Sequence, residues 1–301
     1  MMAAEKLPDI RGVLKAREPM SKHTSWRVGG LADRLFTPAD IEDLAHYLQQ
    51  VPESEPLTWI GLGSNLLVRD GGIRGSVISL KGAFADIKLT EQGTVYAEAG
   101  VSCARLARFC KDQGLSGAEF LAGIPGLLGG SLAMNAGAFG SETWSFVQSV
   151  TTLDRQGNLH QRKPDEFSIA YRSVKTDRRE WFVAAELKFE KTDSSEAADK
   201  IRALLAKRNE TQPIGEPSCG SVFRNPEGDF AARLIETAGL KGYRLGGAQV
   251  SEKHANFIIN ADNASAKDIE QLIRLVQETV QQKHGIDLHT EVVILGDQDH
   301  D

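Results

Sequence analysis

The sequence predicts an α+β protein with more than one compact unit, and three observations carry that expectation. Strand-like and helical stretches do not alternate in the regular βαβ order of a doubly wound sheet. The middle of the chain is β-rich, and the last third mixes helices with strands. A chain of 301 residues is also too long for one small module and suggests two or three units, each with a substantial core.

The elements follow in order. Thr37-Pro38-Ala39-Asp40 offers a cap, a first-turn proline and an early acid, and Ile41, Leu44, Ala45 and Leu48 recur at helical spacing, which predicts a helix over 38–51. Short apolar runs at 57–62 and 76–81 and alternation over 94–99 predict strands. Ser102 caps a helix that runs through Cys110 and is ended by Gly114. Arg155-Gln156-Gly157-Asn158 separates two strand-like runs, a hairpin over 151–161, and 181–190 reads as a further strand. A helix over 197–208 has Ile201, Leu204 and Leu205 on one face, with a domain boundary just beyond it. Helices at 230–238 and 265–284 and strands at 255–261 and 288–295 complete the chain.

Composition excludes several classes of function. A net charge of -6 gives no broad basic face for nucleic acid or anionic lipid. Glu5, Pro8 and Asp9 interrupt the opening residues where an export signal needs an apolar core, so a cytoplasmic protein is expected. Cys103, Cys110 and Cys219 lack CxxC spacing, which argues against both a disulfide framework and a zinc site. Cys103 and Cys110, seven apart on a helix, read as core, and no histidine spacing suggests a metal. Residues 120–141 carry no charge and have the length of a membrane span. Six glycines, Pro125 and Asn135 within that stretch instead predict a loop of close backbone approach rather than a helix. No membrane association and no nucleic-acid partner are expected, and nothing in the sequence sets the oligomeric state, for which a monomer is favoured.

The 29 glycines, roughly a tenth of the chain against about 7% on average, need a local explanation. Gly61-Leu62-Gly63-Ser64-Asn65-Leu66 follows a strand, and its amides, with Ser64 and Asn65, suit an anion. It is neither a Walker loop nor the GxGxxG of a nicotinamide site, and a plain tight turn explains it equally well. A second loop, Gly123-Ile124-Pro125-Gly126-Leu127-Leu128-Gly129-Gly130, runs on to Asn135 and Gly137. A dinucleotide pyrophosphate needs donors from more than one direction, which two such loops supply without lysine or arginine.

Taken together, GLGSNLLV and GIPGLLGGSLAMNAGAFG resemble the UDP-N-acetylenolpyruvoylglucosamine reductase (MurB) family. In the same order come Ser25-Trp26-Arg27-Val28-Gly29-Gly30, Tyr171-Arg172, Gly220-Ser221-Val222-Phe223-Arg224-Asn225-Pro226, and Glu291 before Val292-Val293-Ile294-Leu295. The resemblance spans about residues 21–296. It implies an FAD-binding fold of the vanillyl-alcohol oxidase type, with FAD-binding subdomains at 1–85 and 86–208 and an α+β substrate domain at 209–301. Two positions depart from the family. Tyr171-Arg172-Ser173-Val174 stands where Tyr-Arg-x-Ser is common, and Arg224 replaces a lysine, keeping its charge with a different geometry. Only 48 residues separate Arg172 from Ser221, which matches the subtype without an inserted tyrosine loop.

The resemblance implies NADPH-dependent reduction of an enolpyruvyl UDP-sugar through noncovalent FAD, in peptidoglycan precursor synthesis. NADPH leaves before the sugar nucleotide enters. Arg172 and Glu291 would stabilise charge on the substrate carboxylate, and Ser221 would donate a proton. Tyr171, Arg208, Arg224 and Asn225 would contact the substrate, with Lys207 beside Arg208 at a helix end that reads equally as solvated surface. Gln249, Ser251 and His254 would form the substrate wall. Two other readings stay open. One is an FAD oxidase of the same fold, for which a covalent flavin through His or Cys is typical, although neither residue occurs in the glycine loops. The other is a flavin-binding module without turnover.

Overall fold

Buried apolar faces gather the chain into two units in the computed structural model, which describes residues 10–298. Among these residues the first comprises 10–16, Leu35–Leu62 and Ser76–Arg208; the second comprises Arg17–Arg34, Gly63–Gly75 and 209–298. The opening residues 1–9, on which the export-signal reading rests, and the ends of the segments 1–85 and 209–301 lie outside the described residues.

Two hydrophobic clusters organise the first unit. One forms around helix α1, Ile41–Gln50, whose Leu44, Tyr47 and Leu48 are buried. The predicted start at Pro38 is three residues early. Asp40, in extended conformation, is the residue whose side chain accepts from the Asp43 amide, so Pro38 precedes the helix. Asp43 is buried, yet its carboxylate accepts from the amides of Arg11, Gly12 and Ala39 at 2.7–2.9 Å, which offsets the loss of hydration. Tyr47 stacks on Phe36 at 4.2 Å and pairs its hydroxyl with Ser76. Leu57–Ile60 pairs in parallel with residues 76–79 of the strand Ile73–Ser79.

The second cluster lies against an antiparallel five-stranded sheet. Its spatial order is Leu159–Arg162, Val147–Asp154, Glu180–Leu187, Val95–Glu98 and Ile87–Leu89. The predicted hairpin forms at residues 154–159, where the Asp154 carboxylate accepts from the amides of Gln156 and Asn158. Helix α2, Cys103–Asp112, is capped by Ser102 and buries Cys103, Leu106, Ala107 and Cys110. The uncharged stretch is not wholly a loop, because helix α3 occupies Leu128–Met134 and buries Leu128 and Leu132. Its glycines do not prevent a short helix, since packing of two leucines outweighs a propensity loss of about 1 kcal/mol per glycine. Helix α4, Ser194–Thr211, is longer than predicted and fully buries only Ala197.

Helix α6, Ala266–His284, provides the main face of the single cluster in the second unit, with α5, Ala231–Thr237, packed on it. Ser265 and Asp268 form a reciprocal capping box at 3.0 Å, and Asp70 accepts from the next two amides. Ile269, Leu272, Ile273, Val276 and Val280 are buried at helical spacing, and left-handed Gly285 ends the helix. Arg69 forks onto Glu270 at 2.9 and 3.0 Å. The Arg69 hydrogen bond, rather than burial, holds the Glu270 carboxyl below its usual range. Arg244–Leu245, Ala248–Val250 and Ile258–Asn260 form an antiparallel sheet, and Leu66–Val68 runs parallel to Val293–Leu295. Both predicted late strands are shorter than expected. Residues 251–257 close a turn from Ser251 to Phe257, and the Glu291 and Val292 amides both donate to Val222. Among the described residues, no helix is long and apolar enough to cross a membrane.

Candidate functional site

The second glycine loop is stitched to residues 99–103 by backbone bonds. Cys103 donates to Gly126, Leu128 to Val101 and Gly129 to Ala99, all at 2.9–3.0 Å. A Cβ on Gly129 would stand 3.0 Å from the Ala99 Cβ, so this glycine serves helix packing. Gly130 differs, because it is exposed and a Cβ there would meet nothing within 4 Å. Pro125 is exposed and Ile124 partly buried against the second cluster. Gly123 lies under the Phe139 ring, Gly61 against Leu127, and Gly137 against the Arg172 guanidinium. The open backbone at Gly130 fits an anionic group approaching the start of α3.

Asn135 ends α3 in left-handed conformation and is fully buried. Its side-chain oxygen accepts from the Trp144 amide at 3.1 Å, and its NH2 donates to the Ala170 carbonyl at 3.3 Å. That amide, assigned to the cofactor from sequence, therefore holds the residue before Tyr171-Arg172. Arg172 itself has φ +51°, a conformation that costs a non-glycine residue about 1–3 kcal/mol. Its guanidinium donates to the Gly137 carbonyl at 2.6 Å and the Asn135 carbonyl at 3.4 Å. The same group lies 4.8 Å from the centre of the half-exposed Tyr171 ring. The structure thus seats the predicted catalytic arginine on the glycine loop.

In the second unit, left-handed Gly63 leaves no room for a side chain, since a Cβ would overlap the His23 carbonyl. The Asn65 side chain donates to the Glu291 carbonyl at 3.0 Å, and the Asn65 carbonyl accepts from Val293. Parallel pairing of Leu66 with Val293 places Ser64, Asn65 and Glu291 at one end of this ribbon. Ser221 follows Gly220, whose φ is +73°. The adjacent Val222 carbonyl accepts from the Glu291 amide at 2.7 Å. Ser221, Glu291 and Asn65 are thereby joined through short backbone links.

Arg224 donates its amide to His289, while its side-chain Nε is buried and finds no acceptor among the described residues. An anionic ligand oxygen fits that vacant donor. Asn225 accepts from the Ala231 amide and so starts α5. Burial pushes the Arg208 guanidinium below its ordinary value, whereas Lys207 is exposed.

The predicted substrate wall is more structural than expected. Gln249 is buried in its strand and donates to the Gly242 carbonyl at 3.3 Å. The Ser251 hydroxyl accepts from the amides of Lys253 and His254. His254 accepts at Nδ1 from the Asn256 amide, and burial holds its pKa below the ordinary value. All three thiols are buried, pushed up to about 11 at Cys103 and about 12 at Cys110 and Cys219, so none is poised as a nucleophile. No cluster of metal-ligating residues occurs among the described residues.

Sequence reasoning missed Asn256 and gave Trp26 no role of its own. Asn256 stands in the same run as His254, but nothing in spacing marks an asparagine whose amide faces backbone. The buried Trp26 indole donates to the Ile258 carbonyl at 2.7 Å.

Two family profiles match the chain. One is described as an FAD binding domain, over residues 32–162; the other as UDP-N-acetylenolpyruvoylglucosamine reductase, C-terminal domain, over residues 212–295. The fold is accordingly α+β, with an FAD-binding domain of the vanillyl-alcohol oxidase type and the C-terminal domain of that reductase. A protein of Alkalilimnicola ehrlichii named UDP-N-acetylenolpyruvoylglucosamine reductase is 58% identical over 297 residues, covering 99% of both chains. One of the same name from Methylococcus capsulatus is 55% identical, covering 98% of this chain and 97% of its own. The crystal structure of UDP-N-acetylenolpyruvylglucosamine reductase from Thermus caldophilus superposes with a TM-score of 0.81 at 31% identity, covering 95% of this chain and 99% of that one. Identity of this extent, over nearly the whole of both chains, establishes that the chain belongs to the UDP-N-acetylenolpyruvoylglucosamine reductase family.

Proposed function

We propose that this chain reduces UDP-N-acetylglucosamine enolpyruvate to UDP-N-acetylmuramate, using noncovalent FAD and NADPH, as a step in peptidoglycan precursor synthesis. The observation that carries the reading is the bond from the Glu291 amide to the carbonyl of Val222, beside Ser221. It joins an acid and a hydroxyl proton donor in one backbone frame. Family membership supports the substrate and the electron donor.

When bound and reduced by NADPH, the flavin would supply the hydride that adds to the terminal vinyl carbon of the substrate. The chain's own residues manage the charge and the proton. Negative charge develops on the carbon bearing the carboxylate, and Arg172, presented by the loop carbonyls, stabilises it with Glu291 completing the electrostatic frame. The Ser221 Oγ–H donates its proton to that carbon and is reprotonated from water. Gly61, Gly63, Ser64, Asn65 and Leu66, with Gly123, Ile124, Pro125, Gly126, Gly130, Asn135 and Gly137, line the cofactor, Asn135 through its backbone, while Gly129, read from the sequence as a cofactor contact, packs α3 on Ala99 instead. Tyr171, Arg208, Arg224 and Asn225 contact the sugar nucleotide, while Gln249 and His254 shape the wall. Segments 1–85 and 86–208 serve FAD, and 209–301 serves the substrate. The enzyme acts as a cytoplasmic monomer of the subtype without the tyrosine loop.

Anaerobic absorption spectra test this reading. NADPH is expected to bleach the flavin, and the enolpyruvyl UDP-sugar to restore the colour without oxygen. Slow bleaching that the UDP-sugar does not affect would indicate a binding module instead. Acid precipitation is expected to release the chromophore; yellow protein in the pellet would refute the noncovalent assignment.

The two glycines at the start of α3 separate packing from binding. Gly129→Val is expected to destabilise the protein by about 1–3 kcal/mol through overpacking on Ala99. Gly130→Val should leave the melting temperature of the apoprotein unchanged yet weaken FAD binding about tenfold or more, equivalent to about 1.4 kcal/mol. Calorimetry and flavin titration read both. Unchanged FAD affinity in Gly130→Val would remove this face from the cofactor site.

A further inference from the structure

Asn256 is buried, stands two residues after His254, and contacts the Ser221 segment through three hydrogen bonds. Its backbone carbonyl accepts from the Val222 amide at 2.9 Å. Its side-chain oxygen accepts from the Phe223 amide at 3.0 Å, and its NH2 donates to the Phe223 carbonyl at 2.8 Å. The side chain thus completes the hydrogen bonding of Phe223 as a neighbouring strand would, at a place where no strand runs. On the other side, the Val222 carbonyl accepts from the amides of Glu291 and Val292, and the Arg224 amide donates to His289. The peptide units next to Ser221 are therefore clamped between Asn256 and residues 289–292.

We propose that Asn256 is a positioning residue for proton transfer, acting through Val222 and Phe223 to hold the Ser221 backbone in register with Glu291. This rests on the assignment of Ser221 as proton donor. The geometry explains why an asparagine is required. Aspartate keeps the acceptor for the Phe223 amide but turns a second acceptor toward the Phe223 carbonyl, leaving that buried carbonyl without its donor. Alanine removes both side-chain bonds. Because Asn256 is not among the residues assigned to the cofactor and bonds Val222 and Phe223 rather than Asn65, its loss should displace the proton donor and leave flavin reduction alone.

The experiment is a double-mutant cycle with both half-reactions measured by anaerobic stopped flow on the FAD-bound enzyme. In Asn256→Ala, reoxidation by the enolpyruvyl UDP-sugar is expected to slow about tenfold or more, with flavin reduction by NADPH changed less than about twofold. In a Ser221→Ala background the same substitution is expected to add less than about twofold, since the group it positions is gone. Equal slowing in both backgrounds, or equal slowing of both half-reactions, would overturn the proposal. Should Asn256→Ala fail to fold, Asn256→Asp takes its place, with wild-type reoxidation as the overturning result. Amide exchange on the wild-type protein is a check that needs no variant: Val222 and Phe223 are expected to be strongly protected, and fast exchange there overturns the clamp. Failure of the underlying assignment looks different, because Ser221→Ala alone would then reoxidise at the wild-type rate.

Discussion

Ser221→Ala is expected to slow reoxidation of the reduced enzyme by the enolpyruvyl UDP-sugar about a hundredfold to ten-thousandfold, or roughly 3 to 5 kcal/mol of barrier. Alanine nearly preserves the volume of serine and keeps the Val222 links to Glu291 and Asn256, so the frame should stand. FAD binding and flavin reduction by NADPH should remain close to wild type. Cysteine at this position should retain more activity than alanine, since its thiol can still deliver a proton. Paired single-turnover measurements decide the matter. A wild-type rate of reoxidation in the alanine variant, or a defect confined to the NADPH step, would remove Ser221 from the chemistry.

Trp26→Ala should have the largest effect on stability, about 3–5 kcal/mol in the second unit. Trp26 is completely buried in the cluster that includes Val28, Leu67, Cys219, Phe223 and Ile258. Its indole donates to the Ile258 carbonyl at 2.7 Å, and its own carbonyl accepts from the Asn260 side chain at 3.0 Å. Alanine leaves a cavity and an unpaired buried carbonyl together. Trp26→Phe keeps most of the apolar volume and should cost about 1–2 kcal/mol, mainly the lost hydrogen bond. The loss should spread to the first glycine loop, because the Ser25 amide donates to the Gly63 carbonyl at 3.0 Å. Denaturant titration of both variants measures the difference, and a Trp26→Ala loss below that of Trp26→Phe would contradict this account.

Elements with a local physical cause were legible. Ser102, Ser265 and Gly285 act at the helix ends where capping chemistry puts them, and the apolar spacing of α2 and α6 matches their buried faces. The two glycine loops stood out by composition, and the motifs around Arg172, Ser221 and Glu291 by resemblance. Other features depended on partners distant in sequence. Asp40 rather than Thr37 caps α1. The uncharged stretch admits a short helix because Gly129 can pack on Ala99, 30 positions earlier.

The α+β class and the helix ends at Ser102, Ser265 and Gly285 are set locally, because each follows from interactions within a few residues. Contacts far along the chain separate the glycines that pack from the one that leaves backbone open, and the folded chain turns the Asn135, Gln249 and Ser251 side chains onto backbone groups. Folding also brings Asn256, through its carbonyl and side chain, and Glu291, through its amide, onto the Ser221 segment. Those bonds link residues about 30 to 70 positions apart and each has at least one main-chain partner, a group that every residue carries, so no side-chain pattern announces them before the chain is folded.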